Sequence, residues 1–161
     1  MKIRDHIKYS LLPTIILFYI YKTNALFFFV STIFIDIDHF IEYVFKTGDF
    51  SVKRMFSFYE QIGDELGKSY YLGLSIFHTV EFMLLAAVLS FYADIGKFLL
   101  AGILYHNILD FVYLARKGLF FKRSYSIFYY MLISYRRSNQ FQRMRTREKE
   151  IVSNLIKQGK L

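Results

Sequence analysis

Three short stretches combine imidazole with carboxylate at spacings that suit chemistry: Asp36-Ile37-Asp38-His39, His78-Thr79-Val80-Glu81 and His106-Asn107-Ile108-Leu109-Asp110. Each interrupts an apolar run, the first lying between Phe27-Phe28-Phe29-Val30 and Phe40-Ile41. In a segment apolar enough for lipid, an ionisable group costs about 2.5–3.5 kcal/mol at a helix centre, so such groups persist where they bind or relay something. Imidazole with carboxylate and without thiolate is a donor set for zinc, manganese or iron. His106 and Asp110 are four apart, while His78 and Glu81, like Asp36 and His39, are three apart. Each pair therefore shares a helix face, and Asp38 points elsewhere on a regular helix. His6 precedes the first apolar run, within reach of the same layer. The same residues also fit a buried polar network that locks helices together, or a proton or ion pathway.

The elements that must position these groups follow from composition. With 161 residues, 55% of them hydrophobic and 20% aromatic, the chain is too apolar for an ordinary soluble domain, and its 21% charged residues exclude an all-lipid existence. Cysteine is absent, which excludes disulfides and thiolate metal sites. The expectation is an all-α integral membrane bundle of about four spanning segments in residues 1–135, with an interfacial helix, followed by a basic cytoplasmic helical tail in residues 136–161. The segments are Leu11 to Tyr21, an uncleaved first segment with Pro13 near its start; Ala25 to Phe45; Tyr70 to Tyr92; and Phe98 to Ala115. Lys46 to Ser69, with Gly63 and Gly67, is the long polar connection, and Val52 to Ile62 inside it reads as an amphipathic interfacial helix. Ser124 to Tyr135 is aromatic, about a dozen residues, and suits the headgroup region. From Gln140 to Gln158 the tail has helical propensity and no continuous apolar stripe.

Lys and Arg concentrate at the amino terminus, in the long connection, in Arg116 to Arg123 and in the tail. Four spans put all of these on one side, the cytoplasmic side of an inner membrane by the positive-inside rule. All three imidazole and carboxylate groups then fall in one layer toward the cytoplasm. The formal charge of +8 is accounted for by that topology and by anionic lipid, with no nucleic-acid partner expected. The order His-x-x-Glu argues against a di-iron carboxylate bundle, which uses Glu-x-x-His. No Gly-rich phosphate loop, Gly-x-Ser-x-Gly elbow or side-chain nucleophile beside a base is evident.

The ordered set His6, then Asp36, Asp38 and His39, then His78, then Gly102, His106 and Asp110 resembles the small membrane-bound metal-dependent hydrolases of the YdjM type, themselves distantly similar to zinc-dependent phospholipase C. The family pattern is an early His, Pro-Asp-x-Asp-His, Thr-His-Ser and Gly-x-x-x-His-x-x-x-Asp, and the match covers roughly the first two-thirds of the chain. Ile35 stands where the family has Pro, Gly73 where an additional His belongs, and Ile76-Phe77-His78-Thr79 replaces Gly-x-Thr-His-Ser. The absent His implies one metal fewer, or substitution by Glu81. The resemblance implies a zinc-type hydrolase acting on a phosphoester or related ester, with a membrane lipid head group as the natural substrate. His6, Asp36, Asp38, His78, His106 and Asp110 become the expected ligands, and His39 a ligand or an orienting partner. Glu81 becomes a ligand or general base, and Asp38 is carried with it as a catalytic candidate. The rival expectation is a non-enzymatic membrane protein, either a structural metal site or an ion or proton conduit.

Overall fold

His6, Ser10 and Thr14 recur every four residues, so a helix through them carries one polar stripe. In the structure, a computed structural model that describes residues 3–66 and 72–159, that stripe is buried, while Leu12 and Tyr19 on the same helix are 66% and 83% exposed. The helix is α1 (Ile3–Tyr21). Ser10 Oγ donates to the His6 carbonyl and Thr14 Oγ1 to the Ser10 carbonyl, both at 2.7 Å, so each hydroxyl is satisfied inside its own helix. A 3-10 turn, Lys22–Asn24, with Lys22 at φ 55°, reverses the chain into α2 (Ala25–Phe34).

The fold is mostly helical, continuing through α3 (Ile37–Thr47), α4 (Val52–Leu66), α5 (Val80–Ser90), α6 (Asp94–Arg116), α7 (Ile127–Arg136) and α8 (Ser138–Lys157). Among the described residues, the departure from an all-α reading is a parallel pair of two-residue strands, β1 (Gly73–Leu74) and β2 (Arg123–Ser124), with Gly73 opposite Arg123. In the main bundle α2 packs on α1 and α6, and α5 packs on α6. Its interior mixes polar and apolar side chains: Ser31, Thr32, His106 and Asp110 are buried together with Ala25, Phe28 and Ile103, whereas Leu84, Leu85, Ile108 and Phe111 are exposed. Two stretches, Arg4–Thr47 and Asp94–Arg116, contain windows long and apolar enough to cross a membrane.

Gly102 sets the closest helix crossing. A Cβ there would lie 2.0 Å from Ser31 Oγ and 2.3 Å from the Phe28 carbonyl oxygen, so any side chain drives α6 off α2. A second crossing contact repairs a defect in α1. Pro13 lacks the N–H that would bond the Tyr9 carbonyl. The Tyr105 hydroxyl of α6 donates to that carbonyl at 2.8 Å.

Several expectations need correction. The segment Ala25 to Phe45 is two helices, α2 and α3, broken at Ile35–Asp36, where Asp36 takes φ −73° and ψ 1°. The segment expected from Tyr70 to Tyr92 is not one helix either. Tyr70 and Tyr71 lie outside the described residues, as does Gly67, and β1 and a 3-10 turn (Ile76–His78) precede α5. At 11 residues α5 is about 16 Å long, half of a hydrocarbon core. The amphipathic helix expected at Val52 to Ile62 runs to Leu66, and its apolar face is covered by protein: Met55, Phe58 and Ile62 share a core with Tyr43 of α3 and with Val152 and Leu155 of α8.

The tail therefore does have an apolar stripe. Phe141, Met144, Val152 and Leu155 are buried at helical intervals, interrupted only by Glu148, which bonds Lys46 of α3 at 2.5 Å. α8 packs on both α4 and α7. In the loop between α3 and α4, Asp49 accepts from Arg54 and from the Tyr43 hydroxyl, and these contacts hold its carboxyl well below the usual carboxylate range.

The Pro13–Tyr105 pairing gives a defined outcome. Tyr105→Phe should destabilise the chain by about 1 kcal/mol, the worth of an ordinary hydrogen bond. In a Pro13→Ala background, which restores the missing amide, the same change should have a smaller effect. Thermal unfolding of the four variants checks it, and equal losses in both backgrounds would contradict this role for Tyr105.

Candidate metal centre

The break at Asp36 is what assembles the centre. On a continuous helix, residues 36 and 38 would diverge by roughly 200°. Because α2 stops at Phe34 and α3 starts at Ile37, both carboxylates turn toward His78. His78 sits on the 3-10 turn ahead of α5, with Thr79 capping that helix through a hydroxyl that accepts from the Phe82 amide. His106 and Asp110 share one face of α6, as their spacing requires, and His6 lies near the start of α1. These positions lie at one end of the bundle, where α1 and α5 begin and α2 ends.

Two second contacts decide the imidazole tautomers. His106 Nδ1 donates to the Thr32 carbonyl oxygen at 2.7 Å. His78 Nδ1 donates to Asp38 Oδ2 at 3.3 Å, an oxygen that also accepts from the Phe77 amide at 3.2 Å. A neutral imidazole that donates through one nitrogen offers a lone pair at the other. The two Nε2 atoms face each other at 3.0 Å. Two lone pairs at that distance repel unless a cation, a proton or a metal ion, lies between them.

The carboxylates complete a metal-like geometry. Asp36 Oδ1 lies 3.5 Å from His78 Nε2 and 3.4 Å from His106 Nε2, and Asp110 Oδ2 lies 3.8 and 3.7 Å from the same atoms. Ligands about 2.0–2.1 Å from a tetrahedral ion are separated by about 3.3 Å, and the five distances bracket that edge. Asp36, His78, His106 and Asp110 thus form a buried group that can hold a metal ion. The fixed Nδ1 partners are the kind of outer contact that orients metal-binding imidazoles.

The other expected residues fall into three places. His6 is buried, stacks on His106 with ring centroids 3.9 Å apart, and brings Nε2 to 3.2 Å from Asp110 Oδ1. The same nitrogen lies 3.9 Å from Asp36 Oδ2, so His6 stands at the edge of the group facing two of its carboxylates. Asp38 orients His78 rather than facing the central group, although Asp38, His39 and His78 form a second, overlapping set. His39 directs Nε2 at Arg123 Nη2, 3.3 Å away.

Glu81 is the correction. It was expected to share a face with His78, but His78 precedes α5 and Glu81 is inside it. Its carboxylate accepts from Ser126 Oγ and from the Ile127 and Phe128 amides, where it satisfies the first turn of α7. Arg123 was read only as one member of a basic run. Its Nη1 donates to Asp110 Oδ2 at 2.8 Å, and only the strand pairing with Gly73 brings it there. Thr32 was not singled out at all, since its contribution to the centre is a backbone carbonyl.

No family model matches this chain, nor does any curated protein or solved structure.

Zinc added to the purified chain should raise its thermal midpoint, by the equivalent of about 2.7 kcal/mol at a hundredfold excess over the dissociation constant. Asp38→Asn should weaken zinc binding by about 10–100-fold, as loss of an orienting partner does. Glu81→Gln should lower the midpoint without zinc and leave the zinc-induced rise intact. A rise lost in Glu81→Gln would return Glu81 to the centre.

Proposed function

We propose that this chain is a membrane-embedded, metal-dependent hydrolase of a phosphoester or related ester, with a lipid head group as substrate at the cytoplasmic membrane face. The observation that carries the reading is the convergence of His78 Nε2 and His106 Nε2 with Asp36 and Asp110 at distances that fit one divalent ion. A proton shared by the two imidazoles, with the carboxylates as its counter-ions, would leave the centre free of metal, which elemental analysis distinguishes.

A bound divalent ion polarises a phosphoryl or carbonyl oxygen and lowers the pKa of water to about 7, so no side-chain nucleophile is needed. Zinc would fit the nitrogen and oxygen donors of Asp36, His78, His106 and Asp110, as would manganese or iron. Asp36, at 16% exposure, lies on the accessible side of the group, whereas His78 and His106 are fully buried. Asp38 and the Thr32 carbonyl keep the imidazoles aimed, and His6 supports Asp110.

Membrane integration is supported by the burial pattern, polar groups inside and large apolar side chains outside, which suits lipid rather than water. In this reading α1 leads away from the face that holds the centre and α2 returns to it, and α5 and α6 form a second such pair. Arg4, Lys8, Arg116 and Lys117 flank that face, which the positive-inside rule makes cytoplasmic. The resemblance to YdjM-type hydrolases points to the same chemistry.

The chain purified in detergent should contain a divalent metal by elemental analysis and hydrolyse bis(p-nitrophenyl) phosphate or phospholipid in a chelator-sensitive manner. His106→Ala with Asp110→Ala should abolish both metal and turnover. Stoichiometric metal without hydrolysis of either substrate would favour a structural metal site, and flux across vesicles abolished by Asp36→Asn with metal content unchanged would favour a conduit.

A further inference from the structure

Arg123 is a cation seated directly against a carboxylate of the centre, and nothing in the expected ligand set accounts for it. It reaches the site from β2, held by backbone pairing to β1, so its position does not depend on its own side-chain contacts. Its side chain is only 10% exposed, with Nη1 on Asp110 and Nη2 on His39. A guanidinium can only donate, so the His39 Nε2 lone pair is turned toward Arg123 and is not offered to an ion.

The contacts of the second candidate set leave the centre suited to a single ion. A second ion in the Asp38, His39 and His78 set would need His39 to release Arg123. It would also need His78 Nδ1, which carries the proton donated to Asp38, while His78 Nε2 faces the first ion.

We propose that Arg123 takes the place of a second metal: the centre holds one divalent ion, and Arg123 beside it binds the phosphoryl group of the substrate. This rests on the hydrolase reading and names the substrate class within it. His39 and Asp36, 28% and 16% exposed, are the more accessible members of the group, and Arg123 lies against His39. The guanidinium has five N–H donors in a planar fork, and the contacts to Asp110 and His39 use two of its nitrogens, leaving capacity for a phosphoryl oxygen. A lipid phosphate and a soluble phosphate monoester share that group.

The test uses the full chain in detergent, loaded with zinc and dialysed. Mass spectrometry of the metal should find one zinc per chain, and calorimetry should detect binding of inorganic phosphate. Arg123→Ala should still hold one zinc and weaken phosphate binding by roughly tenfold or more, as loss of a charged hydrogen bond does. Arg123→Lys keeps the charge and loses the fork, and should fall between. Two zinc ions in the unmodified chain, or unchanged phosphate affinity in both variants, overturns the proposal. The zinc count of the unmodified chain decides it even if Arg123→Ala does not fold. No zinc at all would sink the hydrolase reading as well, whereas one zinc with Arg123-independent phosphate binding sinks only the role of Arg123. Stronger competition by dihexanoyl phosphatidic acid than by glycerol phosphate assigns the group to a lipid and supports the proposal; equal competition assigns it to a soluble ester and supports it equally.

Discussion

Two imidazoles pointing their bare nitrogens at each other across 3.0 Å impose the constraint that the rest of this fold serves. Neither ring is free to escape by turning over, because each opposite nitrogen is committed, one to the Thr32 carbonyl and one to Asp38. The backbone features nearby make sense as ways of holding that arrangement. The break at Ile35–Asp36 supplies two carboxylates from one short run, the 3-10 turn presents His78 at the mouth of α5, and Gly102 lets α6 approach α2 closely enough for His106 to reach the Thr32 carbonyl.

The bundle around this centre mixes polar and apolar side chains in its interior. Hydroxyls of Ser10, Thr14, Ser31 and Thr32 line the inside, each bonded to a carbonyl one turn earlier in its own helix. They present small, satisfied surfaces that let helices come together closely. The cap formed by α3, α4 and α8 is built in the ordinary way, around Tyr43, Phe58 and Leu155. The chain therefore joins two packing regimes, and His39, on α3, stands where they meet: its carbonyl lies 2.9 Å from the Tyr59 hydroxyl of α4.

Much of the centre was legible because its residue types were conspicuous. Imidazole and carboxylate inside apolar runs stand out, and Asp36, His78, His106 and Asp110 do converge. What periodicity could not convey was the backbone between them. Nothing in Ala25 to Phe45 marks a helix break by composition, so Asp38 was expected to point away and instead orients His78. Glu81 had the right chemistry and spacing, but a helix that begins after His78 turns it toward the start of α7. Arg123 depends on a two-residue strand pair, too short to leave a pattern, and the stripe on α8 was hidden by Glu148, a charged residue sitting on the buried face because Lys46 meets it there.

The separation in sequence of the four central residues has one more effect. An ion held by Asp36, His78, His106 and Asp110 ties together positions more than seventy residues apart, in a chain that contains no cysteine. Such a tie removes loop entropy from the unfolded chain much as a disulfide would. Unlike a disulfide, such a tie would be indifferent to the reducing power of its surroundings and open to withdrawal by a chelator, so the supply of metal would become part of what holds this protein together.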